Sequence, residues 1–182
     1  MPTLMKVFYS MLLMLVCQAA SAQHTYMTVG ANLVLPTESG LKKDAGTGFG
    51  GSVGVETTIG KKINGTASVG YTSFADVETS DRVSNFKAIP IQLGMKYYAL
   101  AKAFESTGLF FSADFGMMPT SVKFKFKNGD PDYKNSNLSF TIAPGVGYQA
   151  GPAEVSIKPL FNLSETGSKV YYVDFRIAYR FF

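Results

Sequence analysis

Along most of this chain apolar and polar residues alternate with a period of two, the pattern of β-strands that separate two different surroundings. The last thirteen residues show it most fully. Tyr171, Val173, Phe175, Ile177, Tyr179 and Phe181 share one apolar face, and Tyr172, Asp174, Arg176, Ala178 and Arg180 share the other. A face this apolar, opposite one with three charges, predicts a strand between an oily medium and a polar one.

Seven earlier segments repeat the pattern. They run from Tyr26 to Leu35, about Thr47 to Thr58, Ile63 to Phe74, Phe86 to Ala99, Gly108 onward, Asn137 to Gln149, and Ala153 to Phe161; the eighth is Val170 to Phe182. Most have the ~9–11 residues that a tilted strand needs to cross a bilayer. Polar connections at Pro36–Gly46, Asp76–Asn85, Asn128–Asn135 and Asn162–Lys169 alternate with shorter ones at Gly60-Lys61, Leu100–Thr107 and Ala150-Gly151-Pro152. Long loops at one rim and turns at the other predict an all-β fold, an eight-stranded antiparallel up-and-down transmembrane β-barrel with both termini on the turn side. Pro90, Pro144 and Pro159 fall within these strands. A closed barrel has no free edge to tolerate a missing N–H, so they are expected near strand ends or bulges.

The first 22 residues read differently. Lys6 precedes an apolar run from Val7 to Val16, broken only by Ser10, and Ala20-Ser21-Ala22 stands before Gln23. A basic start, a short apolar core and a small-x-small site predict a secretory signal peptide over 1–22, leaving one domain over 23–182. The core is well short of the ~20 apolar residues of a spanning helix, which disfavours an N-terminal anchor. The single cysteine, Cys17, lies in this segment, where Val16 replaces the small residue that a lipoprotein attachment site requires. The domain itself therefore holds no disulfide or thiol chemistry.

Composition agrees with a Gly- and aromatic-rich β-protein: 18 glycines, 14% aromatics and no tryptophan. The net charge of +4 falls to +3 without Lys6, too mild to imply nucleic acid. No stretch after residue 22 is long and apolar enough for a transmembrane helix, so a membrane protein of this sequence must close into a barrel.

Ile89-Pro-Ile-Gln-Leu-Gly-Met-Lys-Tyr-Tyr98, Gly108-Leu-Phe-Phe-Ser-Ala-Asp-Phe-Gly116 and Ala143-Pro-Gly-Val-Gly-Tyr148 resemble the small outer-membrane β-barrel family of Gram-negative bacteria, especially its Bacteroidetes members. The resemblance covers nearly the whole domain. It implies an integral outer-membrane location, contact with membrane lipid and lipopolysaccharide, and a monomer. It also implies that the barrel-assembly machinery reads the terminal aromatics Tyr179, Phe181 and Phe182. The family spans many roles, so it does not fix an activity.

Side chains fill a barrel of eight strands. The polar parity supplies Glu56, Lys96, Asp114, Glu154, Lys158, Asp174, Arg176 and Arg180, four acids and four bases. These are expected to form a balanced internal ion-pair network, because basic groups at mid-depth in lipid cost ~2–4 kcal/mol each. Such clusters also suit acid–base chemistry. The only histidine, His24, lies two residues past the cleavage site, which removes the usual activator of a nucleophile and any His-based metal site. No catalytic residue, metal or cofactor is expected. Val122-Lys-Phe-Lys-Phe-Lys127 extends the fifth strand to about twenty residues, ~65 Å against an apolar band of ~25 Å. It predicts a projecting sheet whose Lys123, Lys125 and Lys127 meet lipopolysaccharide or another surface, or guard an exposed edge.

The leading expectation is a non-enzymatic barrel acting in envelope integrity or in surface interaction through extracellular loops that hold a ligand. A lipid-modifying enzyme, a soluble lipocalin-like carrier and a narrow transporter are the alternatives.

Overall fold

The computed structural model describes residues 24–79, 82–99, 107–127, 131–164 and 167–181. Residues 1–22, expected above to be a signal peptide, and Phe182 lie outside them. The described chain is nearly all strand: β1 (Thr25–Pro36), β2 (Gly48–Gly60), β3 (Ile63–Phe74), β4 (Val77–Glu78), β5 (Arg82–Ala88), β6 (Ile91–Tyr98), β7 (Thr107–Phe126), β8 (Tyr133–Ala150), β9 (Ala153–Ser164) and β10 (Gly167–Phe181). One short helix, α1 (Ser39–Asp44), joins β1 to β2.

Every pairing is antiparallel, and β1 pairs with both β2 and β10, which closes the sheet. β5 and β6 both lie against β7 and form one barrel strand in two pieces, so the wall has eight strands. β4 is a short addition to β5 at the rim. The period of two explains the wall. Met27, Phe49, Phe115, Phe140 and Ile177 point outward and are more than half exposed, while the alternate residues face the lumen. An exterior this apolar is the inverse of a soluble carrier.

The strands are longer at the rim of the long loops than hydrophobicity alone predicts. β8 begins at Tyr133 rather than Asn137, the fourth strand begins at Arg82 rather than Phe86, β9 runs on to Ser164 and β10 begins at Gly167. The hydrogen-bonded hairpins continue past the apolar band, and the added residues 133–136 and 82–85 carry no regular apolar alternation to mark them.

The prolines sit at two shared defects. Pro90 lies in the break between β5 and β6, and beside it Ile89 stands opposite a second proline, Pro119 of β7; Ile89 N donates to Pro119 O at 2.9 Å, while Pro119 stays paired with Leu138 of β8. Pro144 and Pro159 are not at strand ends. They face each other across β8 and β9, where ladder pairs stop at Ile142↔Phe161 and resume at Val146↔Ile157. On their other sides both pair normally, Pro144 with Ala113 and Pro159 with Val173. Two missing donors directed at a single gap leave the remaining ladders whole, which is how a wall without edges holds prolines in mid-strand.

Candidate functional site: the filled lumen and the extracellular ribbon

The lumen-facing residues form two layers of opposite character. The half nearer the short turns is charged. Lys96 on β6 lies between Glu56 of β2 at 2.7 Å and Glu154 of β9 at 2.5 Å. Glu56 also receives Arg180 Nη2 at 3.1 Å, Asn64 Nδ2 at 2.6 Å and the Tyr98 hydroxyl at 2.9 Å. Arg180 donates further to Gln149 Oε1 and lies over the ring of Tyr26. Arg176 reaches Glu154 Oε1 at 3.3 Å and Ser52 Oγ at 3.0 Å. All the charged members of this group are buried, Glu56, Lys96 and Glu154 at 3% exposure or less. Charges this dry are tolerable because each is paired and hydrogen-bonded.

Above this group Lys158 pairs with Asp114 at 2.6 Å, and Thr66 donates to the same carboxylate. Asp174 is the exception. Its oxygens accept from Asn32 Nδ2 at 2.9 and 2.8 Å, and no cation lies within ion-pair distance among the described residues. Lys158 is its cross-strand partner by register but turns to Asp114 instead. The eight sequence-predicted charges thus fall into a group of five, one separate pair and one carboxylate held by an amide. Tyr98, Asn64 and Gln149 complete the group of five; they share the lumen parity, but neutral side chains in a strand give no charge signal. Glycine makes the room. A Cβ on Gly94 would collide with Asp114 Oδ1 and with the backbone oxygen of Ala113, and one on Gly145 would stand 2.6 Å from Lys158 Cγ.

The half of the lumen nearer the long loops is apolar. Phe74, Phe86, Met118, Leu160 and Tyr172 are buried there, with Phe74 and Phe86 edge-to-face at 5.0 Å and the Tyr172 hydroxyl on Met118 Sδ. Leu41 of α1 packs into the same cluster from above and is 4% exposed. The segment expected as a polar loop is therefore a cap: Glu38 Oε2 accepts from Leu41 N to start the helix, and Ala45 N bonds Leu41 O to end it. Cavities of about 30 and 20 Å³ lie among the described lumen residues, the first between the layers beside Tyr172 and Asp174 and the second within the charged group beside Glu56 and Lys96. Each is of the size that holds one or two waters.

β7, with β5 and β8 on either side, rises beyond the barrel as a ribbon, as the length of the fifth segment predicts. Its three lysines are exposed, and two have acidic partners: Lys123 with Asp132 at 3.0 Å and Lys127 with Glu78 at 2.5 Å. The Lys127 hydrogen bond, aided by its charge, holds the Glu78 carboxyl below its ordinary value. Phe124 stacks with Tyr133 and lies under the Arg82 guanidinium on the opposite face. At the other rim Tyr179 and Phe181 pair with Val29 and Met27, their rings 4.8 Å apart on the outer wall. His24 is exposed beside Tyr26, and its carbonyl accepts from Thr58 N.

No curated protein matches the sequence. Solved structures match the fold. Ail, the attachment invasion locus protein of Yersinia pestis, superposes with a TM-score of 0.59 at 13% identity over 86% of this chain and 97% of that one. The N-terminal β-barrel domain of Pseudomonas aeruginosa OprF gives 0.56 at 14%, over 86% and 97%. Neisserial surface protein A gives 0.55 at 16%, over 86% and 95%. Ail has also been solved in complex with the heparin analogue sucrose octasulfate. Identities this low speak for the fold alone. The sequence itself goes further, because residues 8–158 match the family described as the outer membrane protein beta-barrel domain. Most of the sequence lies within that match, and the chain belongs to the outer membrane protein β-barrel family.

Proposed function

We propose that this protein is a non-enzymatic, monomeric barrel of the outer membrane whose lumen is sealed and whose contacts with its surroundings run through the extracellular ribbon and loops. The observation that carries the reading is the two-layer filling, with paired charges below, an aromatic and aliphatic cap above, and water-sized cavities among the described lumen residues. A filled interior of this kind transmits no solute. Planar-bilayer recording of the purified barrel tests it. Silence at the single-channel level is the expected result, and a large, steady conductance overturns the reading.

The same filling argues against catalysis at the buried carboxylates, which are neutralised by Lys and Arg rather than poised for proton transfer. An unchanged lipid A and phospholipid profile in a deletion strain is expected; a defined lipid shift would restore the enzymatic alternative. Export by the 1–22 signal peptide predicts a mature N-terminus at Gln23, read by N-terminal sequencing. Assembly through Tyr179, Phe181 and Phe182 predicts that deleting the last two residues slows barrel insertion in cells. The ligand-bound Ail structure is a precedent for an extracellular ligand on a barrel of this shape.

A further inference from the structure

We propose that the outward face at the base of the ribbon docks phosphate groups of an outer-leaflet glycolipid, an inference that rests on the surface-contact reading above and gives that contact a partner. The strand registers place four lysines of three strands together. Lys123 of β7 is directly opposite Lys134 of β8 and opposite Asn85 of β5. One row below, Ser121 stands between Lys87 of β5 and Ser136 of β8. Lys125 continues the β7 face upward.

These side chains point away from the barrel axis, since they share the parity of Phe115 and Met117 on the outer wall. That apolar parity runs from Leu109 to Pro119 along β7, about 25 Å of height for a strand tilted by ~40°. The Lys87 row therefore stands about 5 Å above the apolar band and the Lys123–Lys134 row about 10 Å above it, at the level of lipid headgroups. Lysine stems can bend along the wall to reach phosphates within that layer.

The charge is unbalanced there. Lys123 is held by Asp132 and Lys127 by Glu78, while Asp76 accepts from Asn85. Lys87, Lys125 and Lys134 have no acidic partner among the described residues. Like charges directly opposite on adjacent strands repel, and an anion lodged between them turns the repulsion into attraction. The face is flush with lipid, directly above the apolar rows Ile91–Met117–Phe140 and Ile89–Pro119–Leu138, so its nearest anions are those of the membrane. A soluble polyanion would instead meet the ribbon from the water above.

The test uses the whole mature barrel in nanodiscs containing a bis-phosphorylated lipid A or the same glycolipid with its phosphates removed, and native mass spectrometry reads the lipid retained. Phosphate removal should weaken retention at least about tenfold. K87Q/K134Q should do the same, whereas K87R/K134R should retain the lipid, and K61Q/K62Q in the turn at the opposite rim should leave it unchanged. Equal retention of the dephosphorylated lipid, or undiminished retention by K87Q/K134Q, overturns the proposal. So does displacement of the lipid by sucrose octasulfate in preference, which would assign the face to soluble polyanions. Gel migration and conductance on the same samples separate the two readings. A folded, silent barrel that ignores phosphate refutes the docking site alone, and a conducting barrel refutes the sealed lumen alone.

Discussion

Glu56→Gln should destabilise the barrel more than Lys96→Met, although both remove one charge from the same buried group. The native group holds three bases, Lys96, Arg176 and Arg180, against two acids, Glu56 and Glu154. Lys96→Met leaves two acids and two guanidinium groups in one-to-one contact, Glu56 with Arg180 and Glu154 with Arg176. Glu56→Gln leaves three bases around one acid, strips Arg180 of its carboxylate and turns an amide N–H₂ toward Lys96. Breaking a buried ion pair costs about 3–5 kcal/mol, most when a charge is left uncompensated. Lys96→Met should therefore fall near the lower end, about 3 kcal/mol, and Glu56→Gln near the upper end, about 5 kcal/mol. Urea titrations in lipid vesicles, followed by far-UV circular dichroism and by heat-modifiable gel migration, give the two values without a tryptophan probe. Equal losses, or the reverse order, would refute the charge count. Losses below about 1 kcal/mol for both would mean that the group is hydrated rather than buried.

Three further perturbations follow from the same geometry. Gly94→Ala brings a methyl group against Asp114 and the backbone of Ala113, so it should cost about 1–3 kcal/mol by overpacking, seen as an earlier urea midpoint. Leu41→Ala empties the cap and should lower its local stability by about 2–3 kcal/mol, read as faster amide exchange and proteolysis across residues 37–47. The Glu78 carboxyl should titrate with a midpoint below its ordinary 4.5 in an NMR pH series. Since its folded value is depressed, the contact with Lys127 stabilises the hairpin above the unfolded value and fades as the pH falls through the folded one. Lys127→Gln should return the midpoint to the ordinary range, and an unmoved midpoint would show that the pair does not persist in solution.

The wall was legible from the sequence because lipid imposes parity: wherever one face must be apolar, a period of two survives, as in Leu109 to Met117 or Phe175 to Phe181. Above the bilayer that constraint ends. Tyr133 to Ser136 and Arg82 to Asn85 carry no apolar alternation, so they read as loop, and the register that brings Lys87 and Lys134 beside Lys123 could not be seen. The lumen charges were legible by parity, but their pairing was not, since Lys158 prefers Asp114 to its cross-strand neighbour Asp174. The apolar cap was hidden for a different reason. Leu160 lies between Pro159 and Phe161, where both faces of the strand are apolar. Phe86 alternates with Asn85 and Lys87, so that near the loops the apolar parity points inward, the reverse of the lipid-facing wall. Leu41 stands among glycine and lysines in a segment that one buried side chain converts from loop to lid.

The charged group also bears on the order in which the barrel forms. Its members come from β2, β3, β6, β8, β9 and β10, and Arg180 meets Glu56 across 124 positions of chain. The bonds from Arg180 to Glu56 and from Arg176 to Ser52 and Thr28 cannot exist until the final strand lies beside the first. These bonds are thus a latch that engages only at closure, absent from any transition state in which the seam is still open. Interactions of that kind leave the insertion rate untouched and slow the reverse reaction. Weakening the latch should shorten the lifetime of the folded barrel in the membrane while newly made chains assemble at their usual pace.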